Sequence, residues 1–408
     1  VIPPRRIHVL ALFANRAGGA EVYTTGLVRT LADRGHDVTL ICHDADRQLV
    51  PGVSVRILPR PDHDDTPLIW RIRPLLLMRQ HLRDLRRLRL ETPDVAIGSA
   101  QYLTWAYGRC LPSVPLFYMP HAVVAPRLVE GYKWGSGLQR RLALTVSARL
   151  ERQALNRAAR TIRLSEIGCR AMERFYGASV TPRFAVLPAP VDLPEPTRRA
   201  RGRDVRLLFI GRLAETKTVH FLLDTVAGLP PIGWTLDIVG DGEERARLEA
   251  LAARHGLGDR VTFYGHQDDV GRFYAAADLF VFPSRMESFG LVLLEAMSHG
   301  LPALTIRHDG VRYENANHEF IQDDVTGFLA DGEDGFRQRL VQLLADPEPL
   351  DATGARARAV VEREHTWTAH VSNLESLIAE ALPVPGDPRP AGAPAAGAPA
   401  ASVSRRDA

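Results

Sequence analysis

The stretch Pro283-Ser-Arg-Met-Glu287-Ser288-Phe289-Gly290-Leu291-Val292-Leu-Leu-Glu295-Ala-Met-Ser-His-Gly300-Leu-Pro302 decides how this chain reads. It joins an apolar run, Asp278 to Phe282, to a segment with a helical pattern that opens near Gly290 and closes near Gly300. The pattern predicts a strand, a polar loop and a helix start. Free amides at a helix start point outward and favour a bound phosphate. Glu287 falls on the loop and Glu295 a turn and a half into the helix, placed to hold hydroxyl groups on either side of a diphosphate. A nucleotide sugar has that layout.

The same alternation of short apolar runs with helical patterns extends outward in both directions, as in a parallel sheet flanked by helices. Strands are expected near Ile7–Leu12, Val38–Cys42, Val53–Leu58, Val95–Ile97, Leu116–Met119, Thr161–Leu164 and Phe184–Leu187. A polar, proline-bearing stretch from Leu193 to Asp204 then reads as a linker. A second series follows at Val205–Ile210, Thr235–Val239, Arg260–Phe263, Leu279–Phe282 and Ala303–Ile306. The 408 residues therefore divide into two α/β domains, 1–195 and 203–365, facing across a cleft. A last helical segment spans 366–382, and residues 383–408, rich in Ala, Pro and Gly, are expected to be a disordered tail.

Composition narrows the function classes. Hydrophobic residues make up 45% and charged residues 24%, as in a soluble globular protein, and no apolar run reaches bilayer length. The net charge of +3 leaves no general basic field that would draw nucleic acid. The start, Val1-Ile-Pro-Pro-Arg-Arg, lacks the core of a secretory signal, so a cytoplasmic site of action is expected. Cys42, Cys110 and Cys169 are far apart and read as buried thiols, without zinc or disulfide spacing.

Several loops carry chemistry of their own. Gly18 and Gly19, after the first strand, let backbone approach a ligand closely, or simply make a tight turn. Arg212 and Lys217, after the first strand of the second domain, can both reach one diphosphate, Arg212 by its planar fork and Lys217 as a point charge. Each such bond is worth roughly 1.5–3 kcal/mol when shielded from water. Gly240-Asp-Gly242 reads as a strand-to-helix turn, its third dinucleotide glycine being replaced by Arg245. His121 sits just past an apolar strand, where ligands gather in open α/β sheets. Arg79, Arg83, Arg86 and Arg87 on one helical segment, and Arg140, Arg141, Arg149 and Arg152 on another, suit either solvated helix faces or an anionic lipid surface.

Taken in order, Gly18-Gly19-Ala20-Glu21, Arg34-Gly-His-Asp-Val, Ser165-Glu166, Pro188-Ala-Pro-Val-Asp192, Gly211-Arg212-Leu with Lys217, and the Glu287–Glu295 segment with Gly300-Leu-Pro302 make the chain resemble glycosyltransferase family 4. The resemblance covers nearly the whole chain except the tail. It implies the GT-B fold, two Rossmann-like parallel-sheet domains with a C-terminal helix crossing back to the first. It also implies a retaining, metal-independent transfer from a nucleotide-diphosphate sugar, expected to be a UDP- or GDP-sugar, with no cofactor. The acceptor would be a glycan, a lipid-linked glycan or a small molecule, met at the inner face of a membrane if the arginine helices bind lipid.

On the same footing, Glu287, His121, Arg212 and Lys217 would be catalytic. Gly18, Gly19, Ser288, Phe289, Gly290, Leu291, Val292 and Glu295 would complete the donor site, Glu295 on the ribose and Glu287 on the sugar. Three departures stand out: Thr218 in place of the usual glycine, Ala189 where Asn is common, and a longer segment, Arg307 to Glu319, in place of a short glycine-rich loop. An epimerase, a glycoside phosphorylase or a non-catalytic scaffold on the same fold would keep the donor cleft and change the outcome.

Overall fold

The computed structural model describes residues 2–14, 19–60, 67–120, 137–196, 202, 204–231, 233–287 and 289–382, without the side chains of 67–75, 137–144 and 181–182. Two parallel sheets organise them. The first has seven strands: β1 (Arg6–Leu10), β2 (Asp37–Cys42), β3 (Ser54–Ile57), β4 (Val95–Gly98), β5 (Leu116–Tyr118), β6 (Arg160–Arg163) and β7 (Phe184–Val186), in the order β3-β2-β1-β4-β5-β6-β7. The second has six: β8 (Val205–Ile210), β9 (Trp234–Val239), β10 (Val261–Gly265), β11 (Leu279–Phe282), β12 (Ala303–Ile306) and β13 (Phe328–Ala330), in the order β10-β9-β8-β11-β12-β13.

Both orders reverse direction once, between β1 and β4 and between β8 and β11. At such a reversal the connections leave toward opposite faces and open a crevice at the carboxyl edge of the strands. Strands buried on both faces read as continuous apolar runs, and β11 (Leu-Phe-Val-Phe) is buried at every position. The strand β13 escaped the sequence reading, and Cys110 is only half-buried, unlike Cys42 and Cys169. Its place near the end of the helix Gln101–Cys110 leaves one side of the thiol open.

The helix Trp367–Ala381 packs on the helix Gly19–Asp33 of the first domain, adding Val371, Leu374 and Ile378 to that domain's core. A Cβ at Gly26 would lie 2.0 Å from the Trp367 ring, so only glycine lets the two helices approach this closely. Glu375, nearly buried, receives two bonds from Arg34 (2.9 and 2.7 Å) and one from His36 Nε2 (3.0 Å). His36 Nδ1 accepts from the Arg5 amide, which leaves Nε2 as the protonated nitrogen facing the carboxylate.

The helix Pro67–Arg87 buries Leu85 and half-buries Met78 and Leu82 against the helix Gln101–Cys110, while Arg79, Arg83, Arg86 and Arg87 are exposed. Among the described side chains the apolar face is largely spent on packing, and the outer face carries these arginines with Leu76 exposed beside them. Arg149 and Arg152 are likewise exposed, and the side chains of Arg140 and Arg141 lie outside the described residues. No described helix is long and apolar enough to cross a membrane.

Candidate active site

The neighbouring strands β8 and β11 send two loops out from the same edge. The loop after β8 ends in a short turn, Glu215–Lys217, and the loop after β11 runs through Pro283 to Glu287. They are stitched together by the Arg285 amide on Thr216 O (2.9 Å) and by Thr218 Oγ1 on Pro283 O (2.5 Å). As a result the Lys217 ammonium forms an ion pair with the Glu287 carboxylate, both side chains being about four-fifths buried. Lys217 Nζ also lies 5.2 Å from the centre of the Phe282 ring. Thr218 itself has left-handed backbone (φ 51°), costly for a β-branched residue, and its hydroxyl bond to Pro283 helps hold it there.

The helix Leu291–Ser298 begins at Gly290, whose φ of 76° demands glycine and which has no side chain of its own to cap the first turn. Its outward amides are therefore available to an anion. Phe289 and Gly290 are buried beside the Lys217–Glu287 pair's loop. Further along, Glu295 accepts a hydrogen bond from Tyr274 Oη (2.8 Å). Burial holds its carboxyl above the usual carboxylate range, and the charge of Asp192 adds to this, against the Tyr274 bond.

Arg212 does not join the ion pair. Its side chain is largely exposed and lies 3.9 Å from Glu243. The Gly240-Asp-Gly242 turn acts as a clamp for the Arg212 loop: Leu213 N donates to Asp241 O and Glu244 N to Leu213 O. Cβ atoms at 240 and 242 would sit 2.0 Å from Gly211 O and 2.4 Å from Leu213 O, so backbone contact explains both glycines.

From the first domain, Gly19 reaches the same place. A Cβ there would lie 3.2 Å from Leu291 Cδ1, at the start of the second-domain helix. Gly19, Leu291, Glu287 and Lys217 thus share one region of the cleft. Gly18, His121 and Ser288 lie outside the described residues. An open cavity of about 540 Å³ lies between Pro194, Glu195, the helix Gly271–Ala276 and His299, whose ring stacks on that of Tyr274. Among the described residues no three His, Cys, Asp or Glu side chains gather as a metal-binding group.

Sequence reading missed Tyr274, the partner of Glu295, and the asparagines Asn315 and Asn317, which are wholly buried under the Glu287 loop. Asn315 Nδ2 donates to Ile306 O (3.1 Å), and Asn317 Nδ2 to Thr305 Oγ1 (2.7 Å). A polar pair following the apolar strand β12 was the available signal.

Residues 17–195 match the family model Glycosyltransferase Family 4, and residues 196–360 match Glycosyl transferases group 1. The chain is 30% identical to the lipopolysaccharide core biosynthesis glycosyltransferase LpsE of Rhizobium meliloti, over 81% of this chain and 86% of that one. It is also 30% identical to the D-inositol 3-phosphate glycosyltransferase of Thermobispora bispora, over 90% of each. Its fold is similar to sucrose-phosphate synthase of Thermosynechococcus elongatus (TM-score 0.74, 19% identity, 92% of this chain and 98% of that one). It is similar as well to Anabaena Alr3699/HepE in complex with UDP-glucose (TM-score 0.69, 19% identity, 92% and 100%). The chain belongs to glycosyltransferase family 4: it is a glycosyltransferase of the GT-B fold, moving a sugar to an acceptor.

Proposed function

We propose that the chain transfers a sugar from a nucleotide-diphosphate donor to an acceptor hydroxyl with retention at the anomeric carbon and without a metal ion. The observation that carries this reading is the Lys217–Glu287 pair beside the helix start at Gly290. A diphosphate laid there would meet the Lys217 ammonium and the helix amides, and the Arg212 guanidinium could swing in from solvent. Glu287 would then turn to the sugar hydroxyls, with the backbone of Ser288, Phe289, Gly290, Leu291 and Val292 lining the turn. Glu295 would take the ribose. Gly18 and Gly19 would approach the phosphates from the first domain, and His121 the sugar's hydroxyl edge.

In this reading the anomeric C–O bond to the diphosphate breaks, and a new C–O bond forms on the same face with the acceptor oxygen. The acceptor proton passes to the departing phosphate oxygen, so no enzymic base is needed. Charge on the leaving group is met by Lys217, Arg212 and the helix amides, which is where electrostatic stabilisation has its largest effect. The proposed units are 1–195 for the acceptor, 203–365 for the donor, a returning helix at 366–382 and a tail at 383–408.

A UDP-sugar is the first donor to test, the HepE neighbour having been solved with UDP-glucose. The acceptor chemistry is a glycan or lipid-linked glycan, as the name of the LpsE relative favours, and the exposed arginines would supply contact with an anionic membrane. The test is a panel of UDP-, GDP- and ADP-sugars scored by thermal stabilisation, since a ligand that binds only the folded state raises its stability with affinity. The stabilising donor is then run with acceptors in EDTA and the product anomer read by NMR. Inverted product, or transfer abolished by EDTA and restored by a divalent ion, overturns the proposal.

A further inference from the structure

The segment Arg307 to Glu319, where the chain departs from its family, makes bonds to both domains within six residues. On one side it pairs with the Glu287 loop. Glu314 lies opposite Met286 and Asn315 opposite Glu287, as a two-residue parallel ladder, and the Glu314 amide donates to Arg285 O (2.8 Å). Asn315 is fully buried beneath this ladder. On the other side it reaches the first domain. The Glu319 carboxylate accepts from the amides of Glu166 (2.7 Å) and Ile167 (2.8 Å), the first two residues of the helix Glu166–Tyr176. Arg174 of the same helix meets the Glu314 carboxylate at 3.1 Å.

A carboxylate on two helix-start amides is a charge-assisted contact that the helix dipole strengthens. Only one short turn, Asn317–Glu319, separates it from the ladder. That turn is tied down by Asn317 on Thr305 and by Thr305 Oγ1 on Phe282 O (2.6 Å). With so little slack, a shift of the first domain's helix is transmitted to the residues that carry Glu287.

We infer that Glu319 is a positioning residue: by holding the start of the helix Glu166–Tyr176, it couples the seating of the first domain to the placement of the Glu287 loop. The inference rests on the reading of Glu287 as a donor-site group. A local cap would steady only its own helix. A coupling element also steadies the other domain's loop.

Hydrogen exchange on the full chain separates the two, read at the peptides covering 164–172 and 284–292 in wild type, E319Q, E319A and E314A. The last variant changes an exposed side chain and leaves the backbone ladder in place, so it keeps the test available should E319A fold poorly. The expected result for E319A is exchange about tenfold faster in both peptides, with E319Q intermediate and E314A changed about threefold in the same direction. Faster exchange at 164–172 alone, or no change in either peptide for E319Q and E314A, overturns the coupling. A parallel arm adds millimolar UDP to wild type. Slower exchange at 284–292 supports the donor-site reading, whereas no effect of UDP sinks that reading without altering the comparison among variants.

Discussion

Lys217 and Glu287, 70 residues apart, form an ion pair between the two loops that leave β8 and β11. In the free protein the carboxylate thus occupies the ammonium that a diphosphate would claim. Replacing Lys217 with Met leaves a largely buried carboxylate without its partner, which should lower unfolding free energy by about 1–3 kcal/mol, below the cost for a fully buried pair. If Lys217 faces the leaving group as proposed, transfer should fall further, by roughly 10²–10³ in kcat/KM. Urea melts and donor kinetics on the same variant check both. Undiminished transfer would remove Lys217 from the mechanism.

Thr218, which by the resemblance stands where glycine is usual, has the left-handed backbone that glycine adopts most readily. Valine has the same shape as threonine but loses the bond to Pro283 O. T218V is expected to cost about 1–2 kcal/mol, and T218G less, since it trades the lost hydrogen bond against relief of strain. Chemical denaturation of the three proteins decides the order. A valine variant as stable as wild type would show that the hydroxyl bond contributes nothing.

How far these residues could be read from sequence depends on the range of the interaction. The Glu287–Glu295 stretch was legible because apolar run, polar loop and helix follow one another within twenty-five residues. β13, three residues set between Gly327 and Asp331, was not, although β5 and β7 are equally short and were expected, so length alone does not account for the miss. The Arg34-Gly-His36 motif was visible, but its partner Glu375 lies more than 300 residues away and nothing local announces it. Lys217 and Glu287 were each assigned to a substrate. Their bond to one another follows from β8 lying beside β11, a matter of strand order rather than of spacing.

The docked C-terminal helix should respond to acid. His370 lies with Nδ1 on Pro188 O (2.7 Å) and Nε2 on Tyr23 Oη (2.5 Å), and burial pulls its pKa down to about 4, which favours the neutral ring. Burial brings His8, His81 and His299 to about 4 as well. The unfolded chain takes up these protons near pH 6.5, before the folded one does, so stability falls as pH drops from about 6.5 toward 4. Glu375 acts in the same direction: burial raises its pKa, but Arg34 and His36 outweigh this and hold it below the usual range. Its contribution is present above the unfolded value and is lost as pH falls through the folded one. H370Q should reduce the slope of stability against pH between 6.5 and 4. An unchanged slope would mean His370 does not titrate on unfolding.

Glu295 offers the sharpest check on the donor. Its carboxylate is held by Tyr274 and kept from full hydration by burial, so an added pair of hydroxyl donors would be well received there. If those donors are the ribose hydroxyls, the wild-type protein should bind UDP about tenfold more tightly than dUDP. E295Q should bind UDP more weakly and lose most of that preference, whereas Y274F, which leaves the carboxylate in place but less firmly aimed, should keep the preference at reduced affinity. Calorimetric titration of both nucleotides against the three proteins measures this directly. Equal affinity of wild type for UDP and dUDP would place the ribose elsewhere and leave Glu295 as a packing residue satisfied by Tyr274.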